Sequence, residues 1–434
     1  MGATNTVAFW VKLAKSGANP IIEDVFEIDA SNQPVAFGTT ITGYIMRDYA
    51  AWYHVCINSN GLYINGDLVS ASPTVAGYSN KRIGYDGSTY GAFYIADFRQ
   101  PESDVAVTSF GESDATTGQW VAKDYNGSYG TNGSELKFGS SGALGDDTSG
   151  NTNDWTVNGT PVQTSDTPSD NYCVLNPLDA TTTLSNGNLT TTGSTKNDRG
   201  TFTMTSGKWY YEIKRVSGSP GMGVAYPNVS FPNDVWGNAD NGWNCDINGT
   251  TYDFGTMRSS YVQAVGVNGI VMIAVDIDNG KIWHGVDGTW SRSGDPAAGT
   301  GESATFTGGT ALAPATYQQA GSVCELDFGQ LGFTYSAPTG FSALSTSSLD
   351  TTTSVTTSGS FTGNSSADGP FIWANGILTS LSINGNSVTP ATHADLNSNG
   401  FKVRTSSASY NTAGSNTWTA TSVRKFVYAN AQGN

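Results

Sequence analysis

The stretch Trp52 to Gly66, reading WYHVCINSNGLYING, constrains the fold more than any other part of the chain. Two runs rich in β-branched and aromatic residues flank Asn58-Ser59-Asn60-Gly61, and Asn65-Gly66 follows at once. Asn and Gly tolerate the positive φ that tight hairpin turns demand, so the spacing predicts short antiparallel strands. The pattern returns at Gly269–Asp278, a nearly unbroken apolar run. It is followed by the turn Asn279-Gly280 and the partner run Lys281-Ile282-Trp283-His284-Gly285. Thr6–Leu13, Ser134–Phe138, Lys208–Lys214, Phe401–Arg404 and Val423–Ala429 also read as strands. Apolar residues at helical spacing are nearly absent, and Tyr49–Trp52 is too short to count. The chain is predicted to be all-β, built from tandem antiparallel β-sandwiches.

A chain of 434 residues is too long for one ordinary sandwich. Its 53 glycines and low charged fraction of 13% would suit disorder. Aromatic residues at 11% argue against that, because disordered chains lack them. The net charge of −16, with only 20 Lys and Arg and no basic stripe, argues against nucleic-acid binding. Cys56, Cys173, Cys245 and Cys324 are widely spaced, without the C-x-x-C pairs of a zinc site, and read as buried free thiols, with a bridge as the alternative. No run reaches transmembrane length, and MGATNTVAFWVK lacks the layout of a secretory signal. Gly2 and Thr6 fit the myristoylation pattern, but the residues beyond them read as a strand.

Four segments follow along the chain. Residues 1–100 are strands and turns. Residues 101–175 are dominated by turn residues and read as a connector packed on its neighbours. Residues 176–340 carry the strongest strand pattern, and 345–434 form a C-terminal β module behind a Ser/Thr-rich stretch.

Within 206–338, five pieces occur in the order of a SPRY domain. They are Ser206–Ile213, Gly221–Ala225, Val271–Trp283, Leu312–Ala315 and Leu326–Gly329. This part of the chain resembles that family, whose members are lectin-like β-sandwiches that bind partners and have no enzymatic activity. Phe9–Lys12, Trp52–Val55, Ile64–Gly66 and Tyr94–Phe98 resemble strands of a concanavalin A-like (laminin-G-like) jelly roll. The stretch usual before the first of them is missing, so this sandwich is expected to be incomplete. The connector pieces Leu136–Phe138, Ala143–Val157 and Leu175–Leu178, and the C-terminal pieces Gly369–Phe371 and Ser398–Arg404, resemble elements of phage virion proteins.

The resemblance implies a phage structural protein of the tail-fibre or tail-tip type, made in the host cytoplasm and released by lysis. It implies binding to a host-surface glycan or protein, contacts with other virion proteins and a homotrimer. A head-decoration or tail-assembly role is the alternative, and a polysaccharide hydrolase the remote one. Trp236, Trp243, Tyr252, Trp283 and Trp290 fall in or beside the expected SPRY loops. Aromatic faces there suit sugar stacking or a protein interface, and they equally suit core packing. Trp236, Trp243, Asn244, Tyr252 and Trp290 are the expected ligand-binding set.

Two other chemistries have weaker signals. Asp146-Asp147-Thr148-Ser149-Gly150-Asn151-Thr152-Asn153-Asp154 gathers oxygen donors in a loop, so Asp146, Asp147, Asn151 and Asp154 are candidate Ca²⁺ ligands. The competing reading is a loop whose Asx turns satisfy its own backbone. Glu23, Glu27 and Asp29 share one strand face, as the carboxylates of a laminarinase-type site do. Ser31 and Asn32, however, stand where the further acid would fall. His54, His284 and His393 show no triad pattern, and no nucleophile elbow, phosphate loop or H-E-x-x-H is present. No catalytic residue is expected.

Overall fold

The computed structural model describes residues 6–349 apart from 72–80, 116, 194, 228–240 and 320, together with strand backbones between Val355 and Asn430. The chain divides into two compact units. One comprises residues 1–111 and 122–348, the other 112–121 and 349–434. Among the described residues there are two short 3₁₀ turns, Val107–Ser109 and Ser291–Ser293, and no α-helix. The fold is all-β and antiparallel throughout its named sheets.

The first sandwich of the large unit has a six-stranded sheet. Its order is Ser134–Leu136, Phe93–Gln100, Val7–Leu13, Tyr53–Asn58, Gly61–Ile64 and Asp67–Ser70. A four-stranded sheet, Asn19–Ile22, Phe26–Ile28, Pro34–Ala36 and Thr39–Thr40, faces it. Val7, Phe9, Val11 and Leu13 alternate into the core between the sheets, where Phe9 meets Phe26 and Phe98 edge-on or tilted. A continuous apolar core lies between the two sheets.

The hairpins follow their turn chemistry. Asn58 pairs with Gly61 across a two-residue turn. Ile64 pairs with Asp67, and the turn between them has Asn65 at φ 50° and Gly66 at φ 85°. The hairpin after Ile270–Asp276 differs from expectation. Asp276 pairs with Lys281, so Ile277 to Gly280 forms a four-residue loop and the strand ends two residues early. The cause is local: the Asp276 carboxylate accepts hydrogen bonds from the backbone and side-chain amides of Asn279 at 3.0 and 2.8 Å.

The second sandwich packs an eight-stranded sheet against a six-stranded one. The larger sheet runs Thr183–Ser185, Thr190–Gly193, Ser322–Asp327, Lys208–Ser217, Ile270–Asp276, Lys281–Val286 and Thr289–Trp290, with Ala304–Thr305 also paired to Lys281–Val286. The smaller runs Lys196–Arg199, Ala313–Gln318, Gly221–Ala225, Gly242–Cys245, Thr251–Asp253 and Thr256–Arg258.

Buried polar contacts join the first sandwich to the segment that leads into the second. The reverse face of Val7–Leu13 presents Ala8, Trp10 and Lys12, all buried. Lys12 Nζ donates to Asp166 Oδ2, Asn171 Oδ1 and the Tyr172 carbonyl, each at 2.7 Å. Trp52 Nε1 donates to the other Asp166 oxygen at 2.9 Å. Tyr94 bonds through its hydroxyl to the Gly187 carbonyl at 2.7 Å. The buried ammonium thus has three acceptors, the condition under which a buried charge is tolerated.

In the second unit, Val355–Gly363, Gly414–Ser422, Leu378–Ile383 and Asn386–Ser387 form one sheet. Phe401–Val403, Phe371–Asn375 and Phe426–Asn430 form another.

Candidate functional site: a polar groove on the second sandwich

Residues paired directly across antiparallel strands share a face. Gly223 pairs with Asn244, Asn244 with Tyr252 and Gly221 with Tyr317. This row forms the outer face of the six-stranded sheet. Val224 pairs with Trp243, and both point the other way, into the sandwich. The outer row opens into a groove of about 170 Å³ lined chiefly by Ser219, Gly221, Asn244, Tyr252, Tyr317 and Gln319, with the Asp246–Asn248 turn at its end.

Asn244 lies at the floor of the groove. Its side chain is wholly buried, and neither its Oδ1 nor its Nδ2 has a hydrogen-bond partner within the chain. Such a group costs about 1–3 kcal/mol when left unpaired. The glycines beside it explain the space. A Cβ on Gly221 would lie 3.1 Å from Asn244 Oδ1, and one on Gly223 would collide with the Trp243 carbonyl at 2.2 Å. The turn that closes the groove is rigid, because Asp246 Oδ1 accepts from the backbone amides of Asn248 and Thr250 at 2.8 and 2.9 Å. Asn244 thus leaves an amide NH₂ and an amide oxygen unpaired just beneath the groove floor, where a group that reaches the floor would complete them.

Of the expected ligand-binding set, the structure brings together Asn244 and Tyr252. Trp243 is on the same strand but fully buried, its ring 6.3 Å from that of His284. Gly242–Cys245 is a strand, so alternation sends Trp243 inward and Asn244 outward. Trp290 belongs to the other sheet and packs edge-on to Tyr210, beside Met272 and Trp283. Trp283 is core, with its Nε1 bonded to the Thr300 carbonyl at 2.8 Å. Trp236 lies outside the described residues. Ser219, Gly221, Tyr317 and Gln319 were missed. Gly221-x-Gly223 on a strand was the available signal, since strand glycines mark close approach.

The candidate Ca²⁺ loop uses its oxygens on itself. Asp147 Oδ1 accepts from the amides of Glu135 and Ser149, and Oδ2 from Asn153 N and Ser149 Oγ, all at 2.9 Å. Asp154 Oδ1 accepts from Asp147 N. Asn151 turns its amide nitrogen to the carbonyls of Gly130 and Gly133. Among the described residues, no group of three or more His, Cys, Asp or Glu could hold a metal, and Asp147, Asn151 and Asp154 spend their side chains on backbone groups in and beside the loop.

The carboxylates of the hydrolase reading are also engaged elsewhere. Glu23 forms a two-point pair with Arg82, which holds its carboxyl below the usual range. Asp29 Oδ1 caps Ser31 and Gln33. Burial raises Glu27. His54 and His284 are both buried, and burial lowers each to about 3, so neither is poised as a base near neutrality. All four cysteines are buried and free.

No family model and no curated protein matches the chain. Solved structures that resemble part of it include stonustoxin, at 20% identity over 36% of this chain and 27% of that one, with a TM-score of 0.28. The SPRY domain of human HERC1 matches at 16% identity over 35% of this chain and 96% of that one, with a TM-score of 0.29. The PSpry domain of TRIM65 matches at 15% identity over 36% and 92%, also with a TM-score of 0.29. The chain thus spans about a quarter of stonustoxin and nearly all of each SPRY domain. The sandwich architecture itself rests on the strand pairing described above.

Proposed function

We propose that the chain is a phage virion protein of the tail-fibre or tail-tip type. In this reading it binds a host-surface glycan or protein reversibly through the groove over Asn244, without breaking bonds in its ligand. The observation that carries the reading is the Asn244 amide, buried and unpartnered at the floor of an open polar groove. A group kept unsatisfied in a folded chain is accounted for if a ligand completes it. The order of the sequence resemblances supports the virion setting. Assembly as a homotrimer would raise the avidity of a groove small enough to hold one sugar or one side chain.

A head-decoration or tail-assembly role is the second reading. The buried Lys12–Asp166 contact favours it, because it stiffens the large unit as a spacer requires. Electron cryomicroscopy of the virion separates the two. The proposal expects the chain at the distal tail, with the groove facing outward. Density in the head shell, or a groove sealed by another virion protein, would leave the architectural reading standing. Incubating the protein with host polysaccharide should release no reducing ends.

A further inference from the structure

A second feature suited to ligand binding lies on the first sandwich, far in sequence from the groove. Tyr85 and Tyr90 bridge each other as the last pair of a hairpin whose tip is Asp86-Gly87-Ser88-Thr89. Their rings lie 4.6 Å apart at 33°. The Arg82 guanidinium is 4.8 Å from the Tyr85 ring. The order is therefore Arg82, Tyr85, Tyr90, and Tyr90 is 76% exposed.

The turn and the Tyr85 ring on which Tyr90 rests are held before any ligand arrives. Asp86 Oδ1 accepts from Ser88 N, Thr89 N and Ser88 Oγ at 2.6–2.9 Å, and the Tyr85 hydroxyl bonds to the Gly87 carbonyl at 2.8 Å. The base of the hairpin is tied to the neighbouring strand by Gly84 N to the Ile21 carbonyl and Glu23 N to the Arg82 carbonyl, both at 2.9 Å. Gly91 N returns to the Gly84 carbonyl at the same distance. Arg82 is held in turn by its two-point pair with Glu23. A rigid aromatic loses little entropy on contact, so more of the contact energy appears as affinity.

The surroundings select the ligand class. An apolar peptide needs a contiguous apolar patch, but the tip between the tyrosines holds only Asp, Gly, Ser and Thr. One ring face among hydroxyls and a carboxylate matches a pyranose, which has a C–H face and hydroxyl edges. Glu23, Asp24 and Asp86 outnumber Lys81 and Arg82, which disfavours an anionic sugar. We infer that the Tyr85–Tyr90 hairpin is a stacking platform for a neutral pyranose.

Saturation-transfer NMR tests this with the full chain and millimolar methyl β-glucopyranoside, methyl β-galactopyranoside and the methyl glycoside of N-acetylglucosamine. Transfer to the ring C–H protons of at least one glycoside is expected. Tyr90→Phe should retain it, and Tyr90→Ala should lose most of it. Because Tyr90 is exposed, the melting temperature of Tyr90→Ala should match that of the parent. The platform is overturned if no glycoside receives saturation, or if Tyr90→Ala transfers as well as the parent. Transfer lost in Asn244→Leu but kept in Tyr90→Ala would place the sugar in the groove and equally overturn it. So would saturation reaching only a proline-rich peptide added as a competitor.

Discussion

Lys12 Nζ lies 2.7 Å from Asp166 Oδ2, and both side chains are wholly shielded from water. The two residues are 154 positions apart, so this contact ties the first strand of the first sandwich to the approach to the second. Removing one partner would strand the other charge in an apolar setting. Asp166→Ala is therefore expected to lower stability by about 3–5 kcal/mol, read as a fall in the urea midpoint. Lys12→Met with Asp166→Leu together should lose much less than either single change. A double-variant loss equal to the sum of the two single losses would mean that the pair is not coupled.

The groove predicts the opposite behaviour at Asn244. Leu keeps the branched shape of Asn, at a somewhat greater volume, and has no polar atoms to leave unpaired. Asn244→Leu should fold with unchanged or higher stability, by up to about 1 kcal/mol. A loss above about 2 kcal/mol would show that Asn244 has structural partners after all.

The buried histidines set an acid response. Burial holds the folded pKa of His284 near 3 and that of His54 likewise, well under the ordinary 6.5. Between those values the unfolded chain takes up protons that the folded chain refuses. Their contribution to stability is thus complete above pH 6.5 and is lost as pH falls from 6.5 toward 3. Asp198 works in the other direction. Burial raises its pKa, so its ionisation as pH rises past 3.8 opposes folding. Denaturation midpoints from pH 7 to 4 should fall less steeply in His284→Gln than in the parent. Identical slopes would show that His284 does not refuse protons when folded.

The thiols give a simpler check. Burial pushes Cys173 up to about 11 and Cys324 up to about 12, and raises Cys56 and Cys245 as well. Ellman's reagent should label none of the four in the native protein at pH 8 and all four in denaturant. Rapid native labelling of any one would show that its site opens.

The sequence made the fold class legible because turn chemistry is local. Asn65-Gly66 adopts the two positive φ values that its identity allows, and the strands around it follow. The site was only half legible. Asn244 and Tyr252 were found because they lie in a polar, aromatic stretch. Their neighbours Gly221 and Tyr317 come from strands distant in sequence, and only the register places them alongside. Trp243 was misplaced for a related reason. A one-residue step along a strand exchanges core for surface, and the flanking polar residues hid the strand. The Lys12–Asp166 contact had no local signal, since Lys12 reads as an ordinary solvent-facing position in Val7–Leu13.

The most direct measurement of the central claim is adsorption of the purified chain to host cells, comparing the parent with Asn244→Leu and Gly221→Ala. The second variant sets a methyl 3.1 Å from Asn244 Oδ1, so it narrows the groove and presses on the amide. Saturable adsorption by the parent and at least a tenfold loss in both variants are predicted, with the melting temperature of Asn244→Leu at or above the parent's. Adsorption by both variants at the parent's level would contradict the groove as the recognition site.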